Sequence, residues 1–210
     1  MMSRTHMAIG AAAGAAASLA LRMGPAESIG LAAVAALGAT LPDIDTEQST
    51  ASRTLFKAVP ILAAAYILAG LAAHLMGWSQ SYPPFLRVGL IAAAVMLIPT
   101  ATRVIFGHRG ATHSVLVWTA MLLALYVTGY RGTAVILAGS VCVGVCVGGI
   151  LPDAITPAGV PLLWPVTGRK FHLLPDGLRI RTGGWIERLL VRPLAYLAIL
   201  AISLRIAGLI

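Results

Sequence analysis

The sequence predicts an all-α integral membrane protein, a polytopic bundle of about six or seven helices with a short surface hairpin before the last helix. Of the 210 residues, 59% are hydrophobic and 10% are charged, whereas soluble domains average about 45–50% and about 25%. Long apolar runs separated by glycine, proline and charged residues recur along the chain. Seven spans of about 20 residues would occupy about 140 positions. We therefore expect a single membrane domain over 1–210.

The apolar runs define the expected helices in order. The first two are short for complete spans, so they are predicted to form a tilted or partly re-entrant hairpin packed inside the bundle. Small residues at Gly10 and Gly14, and again at Gly144 and Gly148, have the spacing of closely packed membrane helices. The expected helices cover 7–22, 26–41, 57–77, 85–105, 112–129, 133–151 and 189–208.

The segment 152–188 is the longest expected non-helical stretch. Within it, a Pro-Asp-Gly turn at 175–177 separates two short alternating arms, which predicts the surface hairpin. Gly183 and Gly184 then break the chain before Trp185, an interfacial residue at the start of the last helix. The apolar residues of this segment argue against disorder, and long loops in compact domains are usually functional.

Pairing the helices as hairpins places the N-terminus and the segments 42–56, 106–111 and 152–188 on one side of the membrane. That side holds eleven of the 15 lysines and arginines, all except Arg22, Arg87, Arg131 and Arg205. The positive-inside rule makes it cytoplasmic in a multi-pass protein of the bacterial inner membrane. The net charge of +8 suits membrane lipids as partners. Because the chain has no aromatic-basic stripe, we expect no nucleic-acid partner, and protein partners stay unknown.

Reporter fusions test this topology. Fusions at Gly24 and Arg131 are expected to report the periplasm and a fusion at Gly183 the cytoplasm. The positive-inside rule places the N-terminus in the cytoplasm, and each span then crosses to the opposite side. Arg131 and Gly183 on the same side would contradict the hairpin pairing. If the first hairpin is re-entrant, only the Gly24 result changes.

Two apolar runs end in the same sequence, Leu-Pro-Asp at 41–43 and at 151–153. Each delivers a carboxylate, Asp43 or Asp153, to a helix C-terminus, where the macrodipole disfavours negative charge by about 0.3–1 kcal/mol unless a cation offsets it. Asp45 adds a third carboxylate nearby. With acids so scarce, the pattern indicates a bound cation. The alternative is that Leu-Pro-Asp is only a helix stop at the interface.

Between these motifs lie two histidines, His108 and His113, five residues apart. Thr112 is a fitting N-cap for the fifth helix, which would put His113 in its first turn, where the helix dipole keeps the ring neutral as a metal ligand must be. His108 precedes this cap with glycines on both sides, and His6 is a further donor on the same side. Imidazoles with carboxylates suit zinc or manganese. The alternative is an ordinary surface histidine pair, and His74 and His172 are not assigned to the metal.

The residues 41–45, 107–114 and 153–165, in this order, resemble the YdjM family of bacterial inner-membrane metal-dependent hydrolases, over nearly the whole chain from His6 to Arg192. That family is distantly similar to the zinc-dependent phospholipase C and P1 nuclease group, all-helical phosphoesterases with clustered His and Asp around zinc. The resemblance also implies a histidine four residues before the last Asp, where this chain has Gly149; Cys146, one turn earlier, is an alternative donor. The implied metal ligands are His6, Asp43, Asp45, His108, His113 and Asp153.

Three functions are compatible with these residues. The first is a membrane-bound hydrolase of a phosphoester in a lipid or lipid-linked substrate, with Arg109 steadying the phosphoryl oxygens and Asp45 accepting a proton if it is not a ligand. The second is a non-catalytic membrane scaffold or stress-response protein with a structural or decayed metal site, which the Gly149 departure favours. The third is a transporter, although transporters place polar groups near the bilayer midplane rather than at helix ends. Arg109 has the alternative role of an interfacial anchor.

Overall fold

The computed structural model describes residues 1–45, 110–127, 129 and 132–209, together with scattered positions between 61 and 77. The regular elements in these residues are helices, which confirms the all-α prediction. The chain forms two compact units, one of Met1–Asp43 with Arg109–Ile210 and one of Ile44–His108. A single domain over 1–210 stays a prediction.

The described part of the first unit contains five helices. Two of them include π-helical turns, in which backbone hydrogen bonds join residues i and i+5 instead of i and i+4. Three short 3-10 helices cover Leu41–Asp45, Ala111–His113 and Asp176–Leu178. The five helices are α1 (Ser3–Ala20), α2 (Pro25–Gly38), α3 (Val115–Val127), α4 (Thr133–Val143, continued by the π-helix Gly144–Ile150 and the α-turn Leu151–Ala154) and α5 (Arg192–Ile206, preceded by the π-helix Glu187–Val191).

Three helical segments of the described residues are long and apolar enough to cross a membrane, namely Pro25–Asp43, Val135–Ala154 and Glu187–Ile206. In the second unit, the described positions of the expected helix at 57–77 are helical as far as Leu75 and end in a turn at Met76 and Gly77. The expected helix at 85–105 lies outside the described residues. The total of six or seven helices therefore stays a prediction.

The small residues pack α1, α2 and α4 against one another, as their spacing predicts. A Cβ atom added to Gly14 would lie 2.7 Å from the Leu31 carbonyl oxygen, and one added to Gly144 would lie 2.0 Å from the Ala35 carbonyl oxygen. Real Cβ atoms do not approach backbone so closely. The three helices reach these positions because glycine has no side chain.

The loop before the last helix is folded against the end of α4. The chain turns at the predicted position, because Pro175 immediately precedes the 3-10 helix Asp176–Leu178. The arms beside this turn bond to the end of α4, because the Leu173 N–H donates to the Ala154 carbonyl and the Ile180 N–H donates to the Ile155 carbonyl, both at 2.9 Å. The loop therefore covers the helix end that carries Asp153.

Candidate metal centre

Four side chains from four helix ends meet inside the first unit. His6 lies near the start of α1, Asp43 in the turn after α2, His113 in the turn before α3, and Asp153 in the last turn of α4. The side chains of His6, His113 and Asp153 are at most 2% exposed, whereas that of Asp43 is 21% exposed. The cluster is therefore shielded from solvent except beside Asp43.

The Asp153 carboxylate lies between the two imidazoles. Its Oδ1 is 3.3 Å from His6 Nε2, and its Oδ2 is 3.4 Å from His113 Nε2. Oδ1 also forms an ion pair with the amino group of Met1. Asp43 joins from the other side, with its Oδ2 3.9 Å from His6 Nε2. Ligand atoms of His6, Asp43 and Asp153 all lie within 4.8 Å of one another, close enough to share one metal ion.

The His6 ring is oriented by the backbone of α4. His6 Nδ1 is 2.7 Å from the Gly148 carbonyl oxygen, and because a carbonyl only accepts, Nδ1 must carry the proton and donate. In the neutral ring, Nε2 then presents a lone pair towards Asp43 and Asp153. Buried His6 Nε2 makes no hydrogen bond to any described residue. In metal-ligating histidines, one ring nitrogen typically donates to a carbonyl and thereby orients the other nitrogen towards the metal. His6 has this arrangement.

Pro152 explains why the Gly148 carbonyl is available to His6. In an α-helix, the carbonyl of residue 148 accepts from the amide of residue 152, but proline has no amide N–H to donate. The π-helix Gly144–Ile150 loosens the same turn, and π-turns occur often at functional sites. The Leu-Pro-Asp motif therefore supplies Asp153 and also removes one competing donor from the carbonyl that holds His6, a role that the sequence analysis missed.

The donor set fits a divalent metal. His6, Asp43 and Asp153 offer one imidazole and two carboxylates within reach of a single ion, and zinc and manganese accept such ligands. His113 Nε2 lies beside Asp153 Oδ2 as a further imidazole. Asp153 is buried and its Oδ1 already pairs with the amino group of Met1, whereas Asp43 is partly exposed; a bound cation would add to the compensation of these two charges. The metal's identity and the number of ions stay predictions.

Glu187 is a second buried acid that the sequence analysis did not single out. Its Oε1 accepts from the Met2 amide at 2.7 Å, and its Oε2 accepts from the Gly183 amide at 2.7 Å. Nearby, Arg192 Nε donates to Thr5 Oγ1 at 3.2 Å. These bonds tie the start of α1, which carries His6, to the start of α5. A glutamate at the very start of an apolar span was the available signal.

Replacing Glu187 should destabilise the protein. Glu187→Ala would leave the Met2 and Gly183 amides without their acceptor, so we expect the free energy of unfolding to fall by about 2–4 kcal/mol. Glu27→Ala is the matched control, because Glu27 accepts one exposed bond from the Gly24 amide at 3.0 Å and should cost at most about 1 kcal/mol. Thermal unfolding in detergent measures both losses. Equal losses would contradict the role of Glu187 as a clamp that holds the start of α1 against the start of α5.

The start of α3 differs from the prediction. Thr112 is not the N-cap and His113 is not in the first helical turn, because Ala111–His113 forms a separate 3-10 turn and α3 begins at Val115. Ser114 takes the capping position, since its Oγ accepts from the Val117 amide at 3.4 Å and donates to the Trp164 carbonyl at 2.6 Å. His113 is thus positioned by the loop after α4 as well as by α3.

The remaining predicted residues are not placed in the cluster. The backbone of Asp45 belongs to the turn Leu41–Asp45, but its side chain lies outside what the structure describes, as do His108 and Arg109. Their assigned roles stay predictions. His172, which was not assigned to the metal, has its Nε2 3.2 Å from the Pro157 carbonyl oxygen.

Gly149 stands where the resemblance implies a further histidine, and the fold leaves no room for one. A Cβ atom added there would lie 2.8 Å from Pro42 Cγ and 2.9 Å from the Ala39 carbonyl oxygen. Both atoms belong to the chain that leads into Asp43. A side chain at 149 would therefore displace the turn that carries one of the candidate ligands.

Restoring the histidine should consequently fail to increase metal binding. The resemblance alone suggests that Gly149→His adds a ligand, but the contacts with Pro42 and Ala39 lead us to expect less bound metal and lower stability, by about 1–3 kcal/mol. Metal content and thermal unfolding of the purified variant decide between these outcomes. A gain in bound metal would show that the turn at Pro42 can move enough to make room for the histidine.

A sequence profile described as YdjM inner membrane protein matches residues 1–208. This chain belongs to the YdjM family. The inner membrane proteins YdjM of Escherichia coli (strain K12) and of Shigella flexneri are each 43% identical to it over 67 residues, 30% of this chain. The chain spans about a third (33%) of the length of these curated relatives. No solved structure matches the chain.

Membership in the YdjM family confirms the predicted resemblance and supports an inner-membrane location. The three apolar segments long enough to span agree with it. The family name carries no activity, so the chemistry of this YdjM-family protein has to be argued from its buried His and Asp residues.

Proposed function

We propose that this YdjM-family protein is a membrane-bound, metal-dependent hydrolase of a phosphoester in a lipid or lipid-linked substrate. The observation that carries the proposal is the buried Asp153 carboxylate between His6 Nε2 and His113 Nε2, at 3.3 and 3.4 Å, with Asp43 beside them. His6, His113, Asp43 and Asp153 would hold the ion. When bound, zinc or manganese supplies Lewis acidity for phosphoester cleavage.

The protein's own residues divide the remaining tasks. Asp43 is the exposed member of the cluster, so substrate would approach from its side. Asp45, two residues further on, would accept a proton, and Arg109 would bind phosphoryl oxygens through its planar guanidinium. The basic residues of the loops on this side make it cytoplasmic by the positive-inside rule.

The experiment combines metal analysis with a phosphodiesterase assay. Full-length protein purified without chelator should contain zinc or manganese, and hydrolyse bis(p-nitrophenyl) phosphate in a metal-dependent manner. Asp153→Asn, which preserves the shape of the side chain, should lose both properties. Metal without hydrolysis of either this ester or a phospholipid would reject the hydrolase.

A metal-bearing scaffold is the second candidate, favoured by the close packing of Gly149. The implied ligand at this position is missing, and Pro42 and Ala39 fill the space. A scaffold would retain metal in the assay above and show no hydrolysis. The two functions are therefore separated by activity and not by metal content.

A further inference from the structure

A cavity of about 400 Å³ lies between α1, α2, α3 and α4, and none of the four residues of the His and Asp cluster lines it. Its lining includes Leu31, Leu122, Ile136 and Val147, and among the described residues that line it only Ser140 contributes a hydroxyl. The volume falls within the range of about 300–1,000 Å³ typical of ligand sites. Such a lining offers a ligand apolar contacts and almost no hydrogen bonds.

The cavity comes nearest to the candidate metal centre, along α4, at Val147. Val147 lines the cavity and directly precedes Gly148, whose carbonyl holds the His6 ring. Ile136 lines it further from the centre, eleven residues earlier along the same helical segment. At about 1.5 Å per residue this is about 16 Å, roughly the depth of one leaflet of a bilayer whose core is about 30 Å thick.

The surroundings favour a lipid chain as the occupant. Leu31 belongs to the apolar segment Pro25–Asp43, and Ile136 and Val147 belong to Val135–Ala154, so hydrocarbon rather than water is the medium at this depth. An apolar cavity offers water no partners. The loop folded against the end of α4 exposes Arg181 and, beyond it, Arg188, and such cations attract anionic head groups.

We propose that this cavity binds an acyl chain of an anionic membrane phospholipid, with the head group at the end nearest His6. That this lipid is also the substrate, with its head group cleaved at the metal centre, rests on the proposed function. Binding of the chain itself follows from the cavity alone. The two parts can therefore fail separately.

Two glycines allow a matched test. Gly139 lines the cavity, and a Cβ atom added there meets nothing within 4 Å. Gly139→Leu would therefore project into the cavity without displacing backbone. Gly30 on α2 has the same open surroundings and lies outside the cavity lining, so Gly30→Leu is the control for adding a leucine to an apolar helix.

The measurement is native mass spectrometry of protein released from nanodiscs that contain dipalmitoyl phosphatidylglycerol. The unmodified protein should retain bound lipid. Gly139→Leu should weaken retention about tenfold, because it excludes several methylene groups, and Gly30→Leu should not. Equal retention by both variants, with thermal unfolding unchanged, would overturn the proposal.

Chain length provides a second measurement on the unmodified protein. A cavity about one leaflet deep should bind dipalmitoyl phosphatidylglycerol more tightly than the dihexanoyl form by about tenfold or more, and equal binding would overturn the proposal. Asp153→Asn separates lipid binding in the cavity from metal-dependent hydrolysis. If it loses metal but retains lipid, the lipid site stands whether or not the protein hydrolyses phosphoesters.

Discussion

Asp153→Asn is expected to lower the divalent metal bound to the purified protein by at least about tenfold. Asp153 is the side chain that both buried histidines approach, with His6 Nε2 and His113 Nε2 within 3.4 Å of its oxygens. An amide of the same shape removes the negative charge and one oxygen donor without opening a cavity. Inductively coupled plasma mass spectrometry after purification without chelator measures the loss.

The control is Asp176→Asn. The Asp176 side chain is 87% exposed and pairs with Arg179 in the surface turn, so its loss should leave metal content unchanged and alter stability by no more than about 0.5 kcal/mol. We expect His6→Ala, His113→Ala and Asp43→Ala to behave like Asp153→Asn, and His108→Ala tests a ligand that rests on the sequence alone. If the metal content were unchanged in every variant, the metal site would be wrong, and the Leu-Pro-Asp motifs would be only helix stops at the interface.

Gly144→Val is expected to have the largest effect on stability. A Cβ atom at position 144 would lie 2.0 Å from the Ala35 carbonyl oxygen and 2.9 Å from the Ala35 Cα, so α2 and α4 would have to separate. Overpacking costs about 1–3 kcal/mol and sometimes more, and here the obstacle is backbone. We expect a loss of at least about 3 kcal/mol in unfolding free energy in detergent.

Gly139→Ala is the matched control on the same helix. Its Cβ atom meets nothing within 4 Å, and alanine is a better helix former than glycine by about 0.5–1 kcal/mol. This variant should therefore be neutral or slightly more stable. If Gly144→Val were tolerated as well as Gly139→Ala, the close approach of α2 and α4 would be wrong.

The sequence by itself determined the class of the protein and predicted that its polar residues gather at helix ends. Composition alone separates a membrane chain from a soluble one, because 59% of the residues are hydrophobic and 10% are charged, whereas soluble domains average about 45–50% and about 25%. The repeated Leu-Pro-Asp motif placed Asp43 and Asp153 at helix ends, and hairpin parity placed His6 with them. The small-residue spacing of Gly144 and Gly148 predicted close packing.

The tertiary structure decided which of these residues meet, and how they are held. Distances between His6, His113 and Asp153 depend on the relative rotation of α1, α3 and α4, which no local pattern specifies. The Ser114 cap, the Glu187 clamp and the crowding at Gly149 each involve partners more than 30 residues away or on another element. Helix periodicity encodes which face is apolar, whereas such contacts arise only when several faces pack together at once.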